Sequence, residues 1–165
     1  MTQHTHRTVP FSPKENDIYL LCDGIQSPAN IGAIFRLCDA FGVKEIVFSQ
    51  QPDLTSNRLK RTARNTENRT VYRVTDDMIG TLDMVSQKGY HTMALEISEH
   101  SIQLPKANAL NHKKIALLIG NERSGVSAQL LNTVHEVVHI EMFGANSSMN
   151  VAQATAIALY ELTKH

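Results

Sequence analysis

Ile115-Ala116-Leu117-Leu118-Ile119-Gly120-Asn121-Glu122-Arg123-Ser124-Gly125 is an unbroken apolar run that opens into a loop with glycine at both ends. A strand that alternates apolar and polar residues can lie half in water. One that is apolar throughout is covered on both faces, as in a parallel sheet packed between helices. Five further β-type runs surround it, at residues 18–22, 45–48, 71–74, 92–97 and 137–142. Between them the apolar residues recur at helical spacing over 31–41, 76–88, 127–133 and 151–163, with a weaker pattern over 56–64. Strands alternating with helices predict an α/β chain with a parallel sheet flanked by helices. One folded unit is expected over 18–165 after a polar arm, 1–17.

Composition narrows the class of protein. Of 165 residues 42% are apolar and 19% charged, the balance of a globular chain, and no stretch approaches the roughly 18 apolar residues of a membrane span. The first seventeen residues lack the apolar core of a secretory signal, so a cytoplasmic protein with no membrane partner is expected. Cys22 and Cys38 lie among apolar neighbours and read as packed, reduced thiols. The formal net charge is zero, but Arg58, Lys60, Arg61, Arg64, Arg69 and Arg73 crowd around one acid, Glu67. Such a patch can meet a polyanion, and it equally fits a solvated helix face.

In open parallel sheets ligands bind beyond the carboxyl ends of the strands. The first strand leads into Asp23-Gly-Ile-Gln-Ser-Pro-Ala-Asn30, without the clustered glycines of a dinucleotide fingerprint, which argues against a nicotinamide enzyme and against the commonest nucleotide-fold methyltransferases. Asn30 stands where an N-cap is expected, ahead of Ile31, Ile34, Phe35, Cys38 and Phe41, with Gly42 as the stop. Arg36 points away from that apolar stripe and leans back over Gly32 toward Asn30, which forms a small polar site. Glu122 sits inside the glycine-bounded loop. Farther on, Phe143-Gly-Ala-Asn-Ser-Ser-Met-Asn150 precedes a last helix apolar around most of its circumference, so that it needs burial by its own chain or a second subunit. Taken singly, each segment reads equally as a cap, a turn or solvated polar groups.

Taken together, Asn30-x-Gly32-x-x-x-Arg36, Gly120-x-Glu122-x-x-Gly125 and Ser148-Met149-Asn150-Val151, in that order, resemble the three motifs of the SpoU, or TrmH-like, RNA methyltransferases. The resemblance covers residues 18–163. It implies a fold with a deep C-terminal trefoil knot, a homodimer, and S-adenosylmethionine as the methyl donor, with no metal. It further implies cofactor contacts at Leu95, Gly120, Ile140 and Met149. Arg36 corresponds to the family's catalytic arginine, with Asn30, Glu122, Ser148 and Asn150 around it. Met149 and Ala152 depart from the family's usual leucine and serine. With only a short arm ahead of the catalytic unit, RNA contacts fall to Arg58, Lys60, Arg61 and Arg64, and tRNA and ribosomal RNA both remain open as substrates.

The implied reaction moves a methyl group to a ribose 2′-hydroxyl. A guanidinium is a poor base for it, since it stays protonated far above neutral pH and must give up its proton at a large cost before it can accept one. Arg36 is therefore expected to hold an RNA phosphate and the 2′-oxygen in line. Two rival readings stand beside this one. A catalytically inactive RNA-binding module would keep the basic patch. A zinc metalloprotease would use His135-Glu136-x-x-His139, with Glu161 at a third-ligand distance, but that pattern needs a helix, and here it runs into the period-two alternation of Val138, Ile140 and Met142.

Overall fold

The apolar run 115–119 is buried along its whole length and lies within the sheet, paired on both sides. The computed structural model describes Ser12 and residues 14–164. Most of the expected arm, residues 1–11 and 13, lies outside the described residues. In chain order the elements are β1 (Asn16–Cys22), α1 (Pro28–Phe41), β2 (Val43–Phe48), α2 (Asn57–Ala63), β3 (Tyr72–Val74), α3 (Met78–Gln87), β4 (His91–Leu95), β5 (Ile102–Gln103), β6 (Ile115–Ile119), α4 (Ala128–Leu131), β7 (Glu136–His139) and α5 (Val151–Thr163). The seven strands form one sheet in the order β3-β2-β1-β6-β4-β7-β5, and every pair is parallel. The order reverses between β1 and β6, the crevice at which parallel sheets bind ligands.

Two apolar layers hold the sheet. One face, with Leu20, Ile46, Phe48, Met93, Leu117 and Ile119, packs on Ile34, Phe35 and Cys38 of α1, Leu59 of α2, and Ala158, Leu159 and Leu162 of α5. The other, with Leu21, Val47, Ala94, Ala116 and Leu118, packs on α3 and α4 through Met78, Leu82, Val85 and Leu130. Cys22 and Cys38 are buried free thiols, and burial raises the pKa of both.

The structure departs from the sequence expectations at particular points. The N-cap of α1 is Ser27, whose hydroxyl accepts from the Asn30 N–H, and Pro28 occupies the first turn. Asn30 is thus inside the helix and free for other bonds. β4 ends at Leu95 and β7 at His139, short of the expected 97 and 142, because the chain there turns into loops that wall a cleft. β5, two residues long and half exposed, has no pattern that a period can reveal. In line with the period-two alternation of Val138, Ile140 and Met142, the zinc-type motif lies on a strand: Glu136–His139 form β7, with His135 immediately before it. His135 Nδ1 accepts from the Thr92 N–H at 3.0 Å, His139 Nδ1 meets Ser101 Oγ at 3.0 Å, and Glu136 accepts from the N–H groups of Asn108 and Ala109. Four residues of strand separate the two histidines by about 13 Å, too far to share one zinc ion. Glu161 pairs with Lys164 instead.

Gly32 needs its missing side chain. A Cβ there would stand 2.5 Å from the Leu59 carbonyl oxygen and 3.1 Å from the Ala63 nitrogen, so α2 crosses α1 backbone to backbone. The space through which Arg36 was expected to reach Asn30 is filled by α2. Gly32→Ala would gain about 1 kcal/mol of helix propensity, yet the clash is with backbone that cannot swing away. The expected net result is a loss of about 1 to 3 kcal/mol, read as a lowered denaturation midpoint. An unchanged or raised midpoint would show that α2 does not seat on Gly32.

Candidate functional site

The carboxyl ends of β1, β4, β6 and β7 surround a cleft of about 1160 Å3, large enough for a small-molecule ligand. Its apolar wall includes Leu95, Ile119, Ile140, Met142 and Met149; its polar wall includes Asn30, Glu96, Glu122, Ser148 and Asn150. The four residues expected to contact a cofactor, Leu95, Gly120, Ile140 and Met149, all line this one cleft, as do Asn30, Glu122, Ser148 and Asn150. Arg36 does not. It is exposed on α1, one turn past the seam with α2.

The loop after β6 owes its shape to two glycines. A Cβ on Gly120 would stand 2.3 Å from the Gly125 carbonyl carbon, and one on Gly125 would meet the Glu96 carboxylate; Gly125 also has φ of +64°. Asn121 and Gly125 exchange backbone hydrogen bonds, and Asn121 donates from its side chain to the Gly24 carbonyl. The Glu96 carboxylate accepts from the Val126 N–H at 2.9 Å, which ties the end of β4 to this loop. Glu96 escaped the sequence reading. Its signal was its place, a carboxylate directly after Leu95 at a strand's carboxyl end.

A single hydrogen-bonded chain joins the three segments. Glu122 Oε1 accepts from Asn30 Nδ2 at 2.9 Å and from the Ser27 N–H at 3.2 Å. Asn30 Oδ1 accepts from Asn150 Nδ2 at 2.9 Å. Asn150 Oδ1 in turn caps α5, accepting from the N–H groups of Ala152 and Gln153. Helix N–H groups only donate and an ionised carboxylate only accepts, so both amides are oriented from their two ends. Burial alone would raise the Glu122 pKa, but the donors on Asn30, on its own backbone, on Ser27 and on Gln26 outweigh it and hold the carboxyl below its usual range.

The basic residues divide. Arg58, Lys60, Arg61 and Arg64 are exposed on and just after α2, whereas Arg69 pairs with Asp39 at 3.4 Å and Arg73 with Glu45 at 2.9 Å. Among the described residues no group of His, Cys, Asp and Glu is arranged to hold a metal ion, and no helix is long and apolar enough to cross a membrane.

The chain matches the SpoU rRNA methylase family over residues 17–160 and belongs to it. It is 28% identical over 155 residues to an uncharacterized tRNA/rRNA methyltransferase of Borreliella burgdorferi, covering 93% of this chain and 67% of the relative. It is 25% identical over 148 residues to a tRNA (guanosine(18)-2′-O)-methyltransferase of Aquifex aeolicus, covering 90% and 69%. Among solved structures, an AdoMet-bound rRNA methyltransferase from Sinorhizobium meliloti superposes with a TM-score of 0.76 at 24% identity, over 92% of this chain and 57% of that one.

Because the folded Glu122 carboxyl titrates below its unfolded value, its ionised form stabilises the fold above about pH 4.3, and that contribution fades as pH falls through the lower folded value. Glu122→Gln removes the titration. The stability gap between wild type and this variant is expected to be largest near neutral pH and to close as acid protonates the folded carboxyl. A gap independent of pH in denaturant titrations would contradict the carboxylate's place in the chain of bonds.

Proposed function

We propose that this protein transfers a methyl group from S-adenosylmethionine to a ribose 2′-oxygen of tRNA or ribosomal RNA. The observation that carries the reading is the bonded chain Glu122–Asn30–Asn150. It draws three family motifs onto the wall of one cleft, and all four expected cofactor contacts line the same cleft. The cleft suits the donor. Leu95, Ile140 and Met149 offer apolar surface to an adenine ring, and the backbone of the Gly120 loop offers hydrogen bonds beside it. The carboxylates of Glu96 and Glu122 favour a nearby positive charge. S-adenosylmethionine, when bound, supplies an electrophilic methyl group on a sulfonium.

The remaining work falls to the chain's own residues. The 2′-oxygen forms one bond to carbon as the sulfonium releases the methyl group, and its proton passes to a phosphate oxygen or to water. Arg36, which stays charged, holds the RNA phosphate and the 2′-oxygen in line. Asn30, Glu122, Ser148 and Asn150 shape the wall against which that line is set. The exposed cations Arg58, Lys60, Arg61 and Arg64 take further phosphates.

The proposed assembly is a homodimer in the cytoplasm. α5 turns Ile157 and Tyr160, 42% and 60% exposed, away from its own chain, and a second copy covers them. Arg36 then lies at or beside the interface, consistent with its absence from the cleft of its own protomer. The segment that runs from β7 to α5 is threaded as a trefoil knot, a rare connection supported by the motif order and by the seating of α5 on α1.

Incubation with labelled S-adenosylmethionine and total RNA, followed by mapping of 2′-O-methylated nucleotides, tests the reaction. Cofactor binding without transfer to any RNA would favour a binding module. Arg36→Lys keeps the charge but loses the planar fork, and is expected to lower turnover on the order of 100-fold with cofactor affinity unchanged. Near-normal turnover would remove the positioning role. Tyr160→Glu is expected to give monomers by light scattering, and persistent dimers would place the interface elsewhere.

A further inference from the structure

A second, smaller cavity of about 160 Å3 lies beside the cleft and shares Gln26 with it. Its floor is apolar, made by Ile25, Ile31 and Leu59, all buried. Its rim carries the side-chain amides of Gln26, Gln50 and Gln51 and the carboxylate of Asp53, all exposed. We infer that this cavity receives the unstacked base of the nucleotide whose ribose is methylated, an inference that rests on the function proposed above.

Size, chemistry and position agree on that occupant. The volume is that of about five waters, room for one ring system and not for a whole nucleotide. An apolar floor suits the face of a base. Amides carry donors and acceptors together and so match a base edge, the Asp53 carboxylate can accept from a base N–H, and splayed-out bases are the form in which RNA sequence is read. Among the described residues Gln51 Nε2 reaches only the Pro52 carbonyl, at 3.4 Å, a weak bond that a base edge can replace. Leu59 sits on α2, whose outer side presents Arg58, Lys60 and Arg61 to the phosphates that must flank such a base.

The wall between the two cavities is the start of α1, and it is pinned. Glu122 accepts from the backbone N–H of Ser27 at 3.2 Å and of Gln26 at 3.5 Å. A base in the small cavity therefore leaves its ribose at the edge of the cofactor cleft. The same carboxylate that orients Asn30 fixes the separation between base and methyl donor.

The test reads binding alone. Adenosine, cytidine, guanosine and uridine 5′-monophosphates are titrated singly into nitrogen-15-labelled protein while the side-chain amide resonances of Gln50 and Gln51 are followed. At least one nucleotide is expected to move both resonances saturably, and inorganic phosphate is expected to leave them in place. The double variant Gln50→Ala/Gln51→Ala, at exposed positions, is expected to weaken that nucleotide about tenfold with an unchanged melting temperature and S-adenosylhomocysteine affinity. Absence of any response, or shifts confined to α2 or reproduced by phosphate, would overturn the inference. Because no turnover is involved, failure to methylate any RNA would sink the proposed function without being confused with failure here.

Discussion

The Asn30–Glu122 hydrogen bond spans 92 residues of sequence and the Asn30–Asn150 bond spans 120, and the site depends on both. Without them, the loop after β6, the start of α1 and the start of α5 would each be a separate surface feature. A neutral hydrogen bond such as Asn30–Asn150 contributes only about 1 kcal/mol to stability and one to a carboxylate about 1.5 to 3, while a buried amide left without its partner costs about 1 to 3. Asn30, 9% exposed, is satisfied only when both other segments are in place. The interaction is thus less a source of stability than a condition on assembly.

That condition can be met because the backbone approaches closely elsewhere. Gly32 brings α2 down onto α1, Gly120 folds its loop back on Gly125, and Gly125 makes room for Glu96. Each contact is one a side chain would prevent. The Gly120 and Gly125 contacts shape the loop that walls the cleft, while the Glu122–Asn30–Asn150 chain orients the polar side of that wall. The basic face of α2 follows from the Gly32 contact, since the helix that seats there has only its outer side left for Arg58, Lys60 and Arg61.

Much of this architecture was legible in the residues. Continuous apolar runs marked β1, β2 and β6 because burial on both faces leaves no polar alternation. The apolar stripe of α1 and the Asn150 cap of α5 were readable from spacing and residue type. What spacing does not contain is the neighbour. Asn30 looked like a cap because polar residues before an apolar stripe usually are, yet Ser27 takes that place and sets Asn30 free to bridge. Arg36 and Gly32 share a helix face, but α2 covers that face at Gly32 and leaves Arg36 exposed beyond it, which no local pattern announces. β5 and Glu96 were missed for the same reason: their identity lies in partners many residues away. The zinc-type motif was decided in the residues, because the period-two alternation after His135 placed it on a strand, where the structure has it.

The most direct measurement is a double-mutant cycle on cofactor affinity, in which Asn30→Ala, Asn150→Ala and the double variant are titrated calorimetrically with S-adenosylmethionine. If one bonded chain forms the wall, breaking it once is enough, and the double variant is expected to bind no more weakly than the worse single variant. Losses that simply add would show two independent contacts and contradict the account.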